Sequence, residues 1–258
     1  MKAKHRLCID VFTGFEYGEL LPMAKRAGFD GFFSGEVYAD NLKVMSHCRQ
    51  LADRLSLLYE TSHATIPGCS SIWSEELDGE AYAAMLKRCI DNCTACSVQV
   101  LVVHIAPDFS MRPNFELGMD RLRPVVEYAR KKQIKIAFEN INSADYLFQT
   151  LEVFTQPHVG FCYDCGHEAC HTPGSRFLPQ IGARLFCTHL HDNDGRVDQH
   201  LIPFDGTIDF ERICWELCQV GYCGNLTLEL GYGQNSLKKQ DFLQKSYEAL
   251  LKIDRMVK

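Results

Sequence analysis

Apolar runs alternate with longer stretches of helical periodicity from one end of the chain to the other. The strand-like runs cover residues 6–11, 30–34, 55–61, 98–104, 134–139, 159–164, 184–190 and 225–230. Between them, residues 17–27, 39–53, 75–96, 116–132, 144–155, 168–181, 209–220 and 236–256 read as amphipathic helices. In the stretch from Glu75 to Cys96, the side chains of Leu77, Ala81, Ala84, Met85, Ile90 and Cys93 fall close to one helical face. Turn residues such as Ser74, and Gly206-Thr207 ahead of Asp209, stand before helices. Eight βα units in succession predict a parallel sheet, and eight such strands close into a barrel. No Pro/Gly/Ser-rich linker breaks the alternation, so the expected architecture is one (β/α)8 TIM barrel domain over residues 1–258.

Four of the apolar runs end on a group that is costly to bury alone. Ile134–Phe138 leads to Glu139, Val159–Tyr163 to Asp164, Leu185–Thr188 to His189, and Leu226–Leu228 to Glu229. A single strand-ending acid often just caps the next helix. Four in register at one end of a parallel barrel instead predict a divalent-metal site. Three carboxylates and one imidazole form an oxygen-rich set that suits Mn2+, Mg2+ or Co2+ more than structural zinc. Further candidates for metal or substrate fall where a barrel rim would put them. His63 follows the third strand, His104 ends the fourth, His167 lies three residues past Asp164, and Asp198 and His200 form a D-x-H pair. That pair sits in a polar connection, His191 to His200, which follows a strand and so belongs to the face where barrels build active sites. Arg196 is either a substrate-oxygen ligand or an ordinary loop arginine, and Trp73 either stacks on a sugar face or packs its loop down.

Composition narrows the classes. At 258 residues the chain has the size of one barrel, for which about 250 is typical. The net charge of −6, without a basic run, argues against a duplex nucleic-acid partner. No apolar stretch approaches the roughly 20 residues of a membrane span, and the short apolar segment after Met1–Arg6 does not read as a secretory leader. A cytoplasmic protein is expected. Its thirteen cysteines then read as small buried thiols rather than a disulfide framework. Cys162 and Cys165 stand out only because they flank Asp164.

Several motifs together resemble the xylose-isomerase-like barrels, a superfamily that includes sugar phosphate isomerases, sugar 3-epimerases and endonuclease IV. They are Phe138-Glu139-Asn140, Tyr163-Asp164-Cys165-Gly166-His167, His189-Leu190-His191-Asp192-Asn193, Asp198-Gln199-His200, Phe204–Phe210 and Leu228-Glu229. The resemblance spans most of the chain. It implies one divalent metal (Mn, Mg, Co or Zn) held at Glu139, Asp164, His189 and Glu229. It also implies isomerisation or epimerisation of a small sugar, sugar phosphate or polyol-derived ketone through a metal-stabilised enediolate. Glu139 or Glu229 would move the proton, and His167 and Arg196 would orient substrate oxygens. Homo-oligomers are common among such proteins.

Endonuclease IV offers a second implication. Its three-zinc cluster, which acts on abasic DNA, has a residue of matching type here at His63, His104, Glu139, Asp164, His167, His189, Asp198, His200 and Glu229. A third alternative is a barrel that has lost catalysis and serves as an accessory subunit, against which the intact ligand set argues. One departure from the pattern stands in the loop. Both branches more often carry a Gly-Glu-Gly type sequence where this chain has Phe204-Asp205-Gly206.

Overall fold

The computed structural model describes residues 5–35, 38–233 and 236–257. Most of the N-terminal segment considered above as a leader, Met1–Lys4, lies outside them. Eight strands follow one another along the chain: β1 (Leu7–Val11), β2 (Gly31–Ser34), β3 (Leu58–His63), β4 (Val100–His104), β5 (Lys135–Glu139), β6 (Val159–Asp164), β7 (Leu185–His189) and β8 (Leu226–Leu230). All ladders between neighbours are parallel, and β8 returns to pair with β1. The seam between β7 and β8 has no ladder. It is closed by a bridge between Leu190 and Leu228, with the Leu190 N–H donating to the Thr227 carbonyl at 2.8 Å. The result is a (β/α)8 TIM barrel.

The helices that wrap it are α1 (Tyr17–Ala27), α2 (Leu42–Leu55), α3 (Gly79–Ala95), α4 (Phe115–Lys132), α5 (Ala144–Val153), α6 (Cys165–Cys170), α7 (Phe177–Ile181), α8 (Phe210–Gln219) and α9 (Lys239–Met256). Side-chain caps start most of them. Asn41, Asp78, Asn114, Ser143 and Asp209 each accept a backbone N–H from the first turn, which stabilises a helix by about 1 kcal/mol apiece. Asp164 does the same for α6 and thereby orients the loop that follows β6.

Three departures from the periodicity reading have a local cause. The third strand occupies Leu58–His63 rather than 55–61, because Ser56 adopts a left-handed conformation that ends α2 just before it. His63 is therefore the last residue of the strand and not part of the loop beyond. The expected helix 168–181 is two short ones, since Thr172-Pro173-Gly174 cannot continue a helix and Gly174 sits at φ 85°. The helix expected over 75–96 begins at Gly79 behind its Asp78 cap, and residues 69–73 make a separate 3-10 turn.

Most apolar side chains fill the layer between strands and helices. Inside the barrel a smaller cluster of Val102, Ala137, Cys162 and Cys187 fills the centre below the mouth. Among the described residues no helix is long and apolar enough to cross a membrane.

Candidate metal centre

The C-terminal ends of the strands bring the polar residues to one level. His104 pairs in register with Glu139, Asp164 with His189, and Asp10 with Glu229. Donor atoms of Glu139, Asp164, His189 and Glu229 all lie within 4.8 Å of one another. His189 Nδ1 stands 2.9 Å from Glu139 Oε1 and 3.4 Å from Glu229 Oε2. Asn140 locks the Asp164 backbone from the side, accepting its N–H at 2.8 Å and donating to its carbonyl at 2.7 Å.

Two more groups adjoin the first. The other oxygen of Glu139, Oε2, is 3.0 Å from His63 Nε2 and 3.1 Å from His104 Nε2. On the far side, Asp198 Oδ2 is 3.1 Å from His167 Nε2 and 3.0 Å from His200 Nε2, with His191 near enough to join the same group. The structure thus brings together nine of the residues singled out in the sequence. It separates the other two. Trp73 is buried, stacked on Phe115, met edge-on by Tyr146 and pressed against Gly118, where any Cβ would come within 2.1 Å of the indole. Its faces pack the loop, the alternative stated above, and leave none for a sugar. Arg196 is exposed on the β7–α8 connection and does not line the cavity over the donors.

The hydrogen-bond arithmetic tests whether metal fits. His63 Nδ1 donates to the Ala64 carbonyl, His167 Nδ1 to that of Asn140 and His200 Nδ1 to that of Glu229. With Nδ1–H fixed by a carbonyl, a neutral ring turns a lone pair at Nε2 toward a carboxylate oxygen. That arrangement is repulsive unless a proton or a cation lies between, and it is the outer-shell pattern of metal-bound histidine. Asp198 Oδ1 is buried with no hydrogen-bond partner among the described residues. The donor groups fit divalent ions.

Without an ion, protons fill the role. Burial opposes ionisation of Glu139, yet His189 and His104 hold its carboxyl well below the usual range. Glu229 and Asp198 are likewise lowered against burial, Glu229 chiefly by His189 and Asp198 by its bonds to His167 and His200. Burial works against the imidazolium of His167, but Asp164 and Asp198 raise it to about 10. His200 is raised to about 9 against the same penalty, by Asp198 and then Glu229. At His104 burial prevails and the ring is lowered.

Two site residues went unrecognised in the sequence. His191 lies two residues after His189, so strand alternation turns it to the same side. Its Nε2 meets both Asp164 oxygens at 3.0 and 3.1 Å, and its ring stacks on His200 with centroids 3.9 Å apart. Gly166 is required beneath it, because a Cβ there would fall 1.8 Å from the imidazole. Asp10 ends an apolar run as the four recognised residues do. It is buried level with Glu229 and accepts the Tyr17 hydroxyl proton at 3.0 Å. Burial, reinforced by Glu229 and opposed by Tyr17, pushes its carboxyl up to about 7.

Over the donors lies a cavity of about 170 Å3 whose lining includes Phe12, Gly35, Ile66, His104, His167 and Glu229. Phe12 sets its ring edge-on to His200 at 4.8 Å. A wider depression of about 460 Å3 at the opposite end, lined by Arg6, Asp30, Arg49 and Tyr59, contains none of these donors.

Residues 13–251 match the family described as xylose isomerase-like TIM barrel. A curated relative, uncharacterized protein y4fM of Sinorhizobium fredii (strain NBRC 101917 / NGR234), is 29% identical over 187 residues, 67% of this chain. The match spans only 60% of that relative's length. Among solved structures, a D-tagatose 3-epimerase-like protein superposes with TM-score 0.75 at 20% identity, covering 98% of both chains. D-psicose 3-epimerase of Clostridium cellulolyticum H10, solved with D-tagatose, gives 0.80 at 13% identity over 98% of this chain and 99% of its own. At these identities the structural likeness is one of fold.

Proposed function

Because this chain belongs to the xylose isomerase-like TIM barrel family, we propose that it is a divalent-metal-dependent enzyme that isomerises or epimerises a small sugar, sugar phosphate or polyol-derived ketone. The observation that carries the reading is the meeting of two strand-end glutamates at one imidazole nitrogen, with Asp164 completing the set, on the floor of a small cavity. When bound, a divalent ion polarises a carbonyl and its neighbouring hydroxyl and so acidifies the adjacent C–H. Glu229 lines the cavity and Glu139 does not, which favours Glu229 as the carboxylate that takes the proton. His167 and His104 line the same cavity, which supports a role for them in orienting substrate oxygens. A volume of about 170 Å3, with no lysine or arginine among the described residues that line it, favours a small molecule over a polynucleotide.

The test is solvent deuterium exchange into a panel of ketoses and ketose phosphates by the ion-loaded protein. Glu229→Gln is expected to lower exchange by about 100- to 10,000-fold, the usual contribution of a general base. Exchange at wild-type rate in that variant would remove Glu229 from the mechanism.

A second reading has its own observation. The His63/His104 pair on the outer oxygen of Glu139, with the His167/Asp198/His200 group, offers places for two further ions. Three ions would suit hydrolysis of a phosphodiester, as at an abasic site in DNA. Elemental analysis separates the two readings. About one ion per chain supports proton transfer, and about three zinc ions with cleavage of abasic DNA would replace it.

A further inference from the structure

Directly below the donors, the barrel interior holds two thiols side by side. Cys162 on β6 and Cys187 on β7 are register partners, and both are buried. Cys162 precedes Asp164 by two residues and Cys187 precedes His189 by two, so each points into the barrel one layer beneath a strand-end donor. Only Cys162 reaches upward far enough to join them. Its Sγ, an oxygen of Glu139 and a ring nitrogen of His189 all lie within 4.8 Å of one another. Donors sharing one zinc stand roughly 3.5 Å apart, so a small contraction would bring all three onto a common ion.

We propose that Cys162 is a further donor to the ion held by Glu139 and His189, entering from the closed floor of the barrel. It gives the centre a preference for zinc, cobalt or cadmium over magnesium. This rests on the metal-dependent reading above. Position explains why a thiol there is compatible with chemistry at the mouth. Cys162 is absent from the cavity lining while Glu229 is part of it, so the sulfur takes a coordination place that substrate does not need. Carboxylates alone would leave the site open to hard ions, whereas one sulfur shifts selection toward softer ones. Binding replaces the S–H bond with a metal–sulfur bond and releases the proton to solvent.

Cobalt substitution tests this without an activity assay. Protein stripped by chelator and reloaded with Co2+ is expected to show visible ligand-field bands, which report occupancy, and a near-ultraviolet thiolate-to-cobalt charge-transfer band. The charge-transfer band should vanish in Cys162→Ser and persist in Cys187→Ser. Affinity for Cd2+ should fall roughly tenfold or more in Cys162→Ser while that for Mg2+ is unchanged. Ligand-field bands without charge transfer in the wild type would overturn the proposal and leave the metal reading standing, as would a charge-transfer band that survives Cys162→Ser. No ligand-field bands at all would overturn both.

Discussion

Glu60 and Glu139 are both buried, both on strands, and both point into the barrel, yet they are opposite in kind. Glu60 sits toward the base, where the Asn225 side-chain amide at 3.0 Å and the Thr227 hydroxyl donate to it. Burial is the largest influence on it and raises its carboxyl despite those bonds and the weaker pull of His189. Glu139, at the mouth, is ringed by His63, His104 and His189 and is held ionised against an equally complete burial. Burial therefore does not make a metal site. The partners decide whether a buried acid is a neutral hydrogen-bonding strut or a negative charge waiting for a cation.

Exchanging oxygen for nitrogen at each acid gives the largest contrast. Glu139→Gln should lower ion affinity by more than about 100-fold, the upper cost of losing even an outer-shell partner, and abolish turnover. Glu60→Gln keeps the shape of a group already prone to neutrality, so ion content and turnover should stay near wild type. Equal losses in the two variants, read by elemental analysis and deuterium exchange, would erase the distinction.

Proton release sharpens it next. His167 and His200, at about 10 and about 9, carry protons at pH 8 in the ion-free chain. Filling their group must expel about two protons, and affinity for that ion should climb with pH until about 9 to 10. Calorimetry in buffers of different ionisation enthalpy counts those protons.

Asp10 gives a smaller, third contrast, being an acid at the mouth that behaves like the one at the base. Its folded value of about 7 lies above its ordinary 3.8. Its contribution to stability is thus complete below about pH 4 and lost as pH rises through about 7. Ion-free Asp10→Asn should lack that loss, so its melting temperature relative to wild type should rise between pH 4 and 8. A constant difference across that range would refute the assignment.

The smallest effect concerns Phe204, at the first position of the loop that departs from the family pattern. Its φ of 75° is a glycine conformation, held by its N–H bond to Asp192 Oδ2 and by the Lys252 ammonium 3.5 Å from its ring centroid. Phe204→Gly should relieve about 1 kcal/mol of backbone strain but lose the cation–π contact and the ring contact with Phe210, each of similar size. The net change should be a small loss of thermal stability, about 1 kcal/mol, without loss of ion binding.

What could be read in advance follows from how each residue reaches the site. Glu139, Asp164, His189 and Glu229 were legible because strand alternation and apolar runs place them by local chain geometry alone. Asp10 carries the same signal behind Leu7-Cys8-Ile9, a run as short as the one before Glu229. His191 was visible as His189 plus two, and its role needed the β6 loop to be seen packing under it at Gly166. Glu60 lies inside a run whose bounds shift in the structure, since a left-handed Ser56 is not announced by periodicity. Trp73 shows the limit from the other side, because its partners Phe115 and Tyr146 come from two later helices. Neither pairing nor the division of 168–181 into two helices is encoded in the spacing of apolar residues.

The seam between β7 and β8 has a mechanical consequence. Every other pair of neighbouring staves is laced by a ladder, whereas this one is tied by the Leu190–Leu228 bridge. His189 and Glu229 stand on its two sides at the mouth. An ion gripping both is a rivet across the weakest joint of the barrel, so amide hydrogens of Leu190 and Glu229 should exchange slowly in the loaded protein and open first once it is stripped.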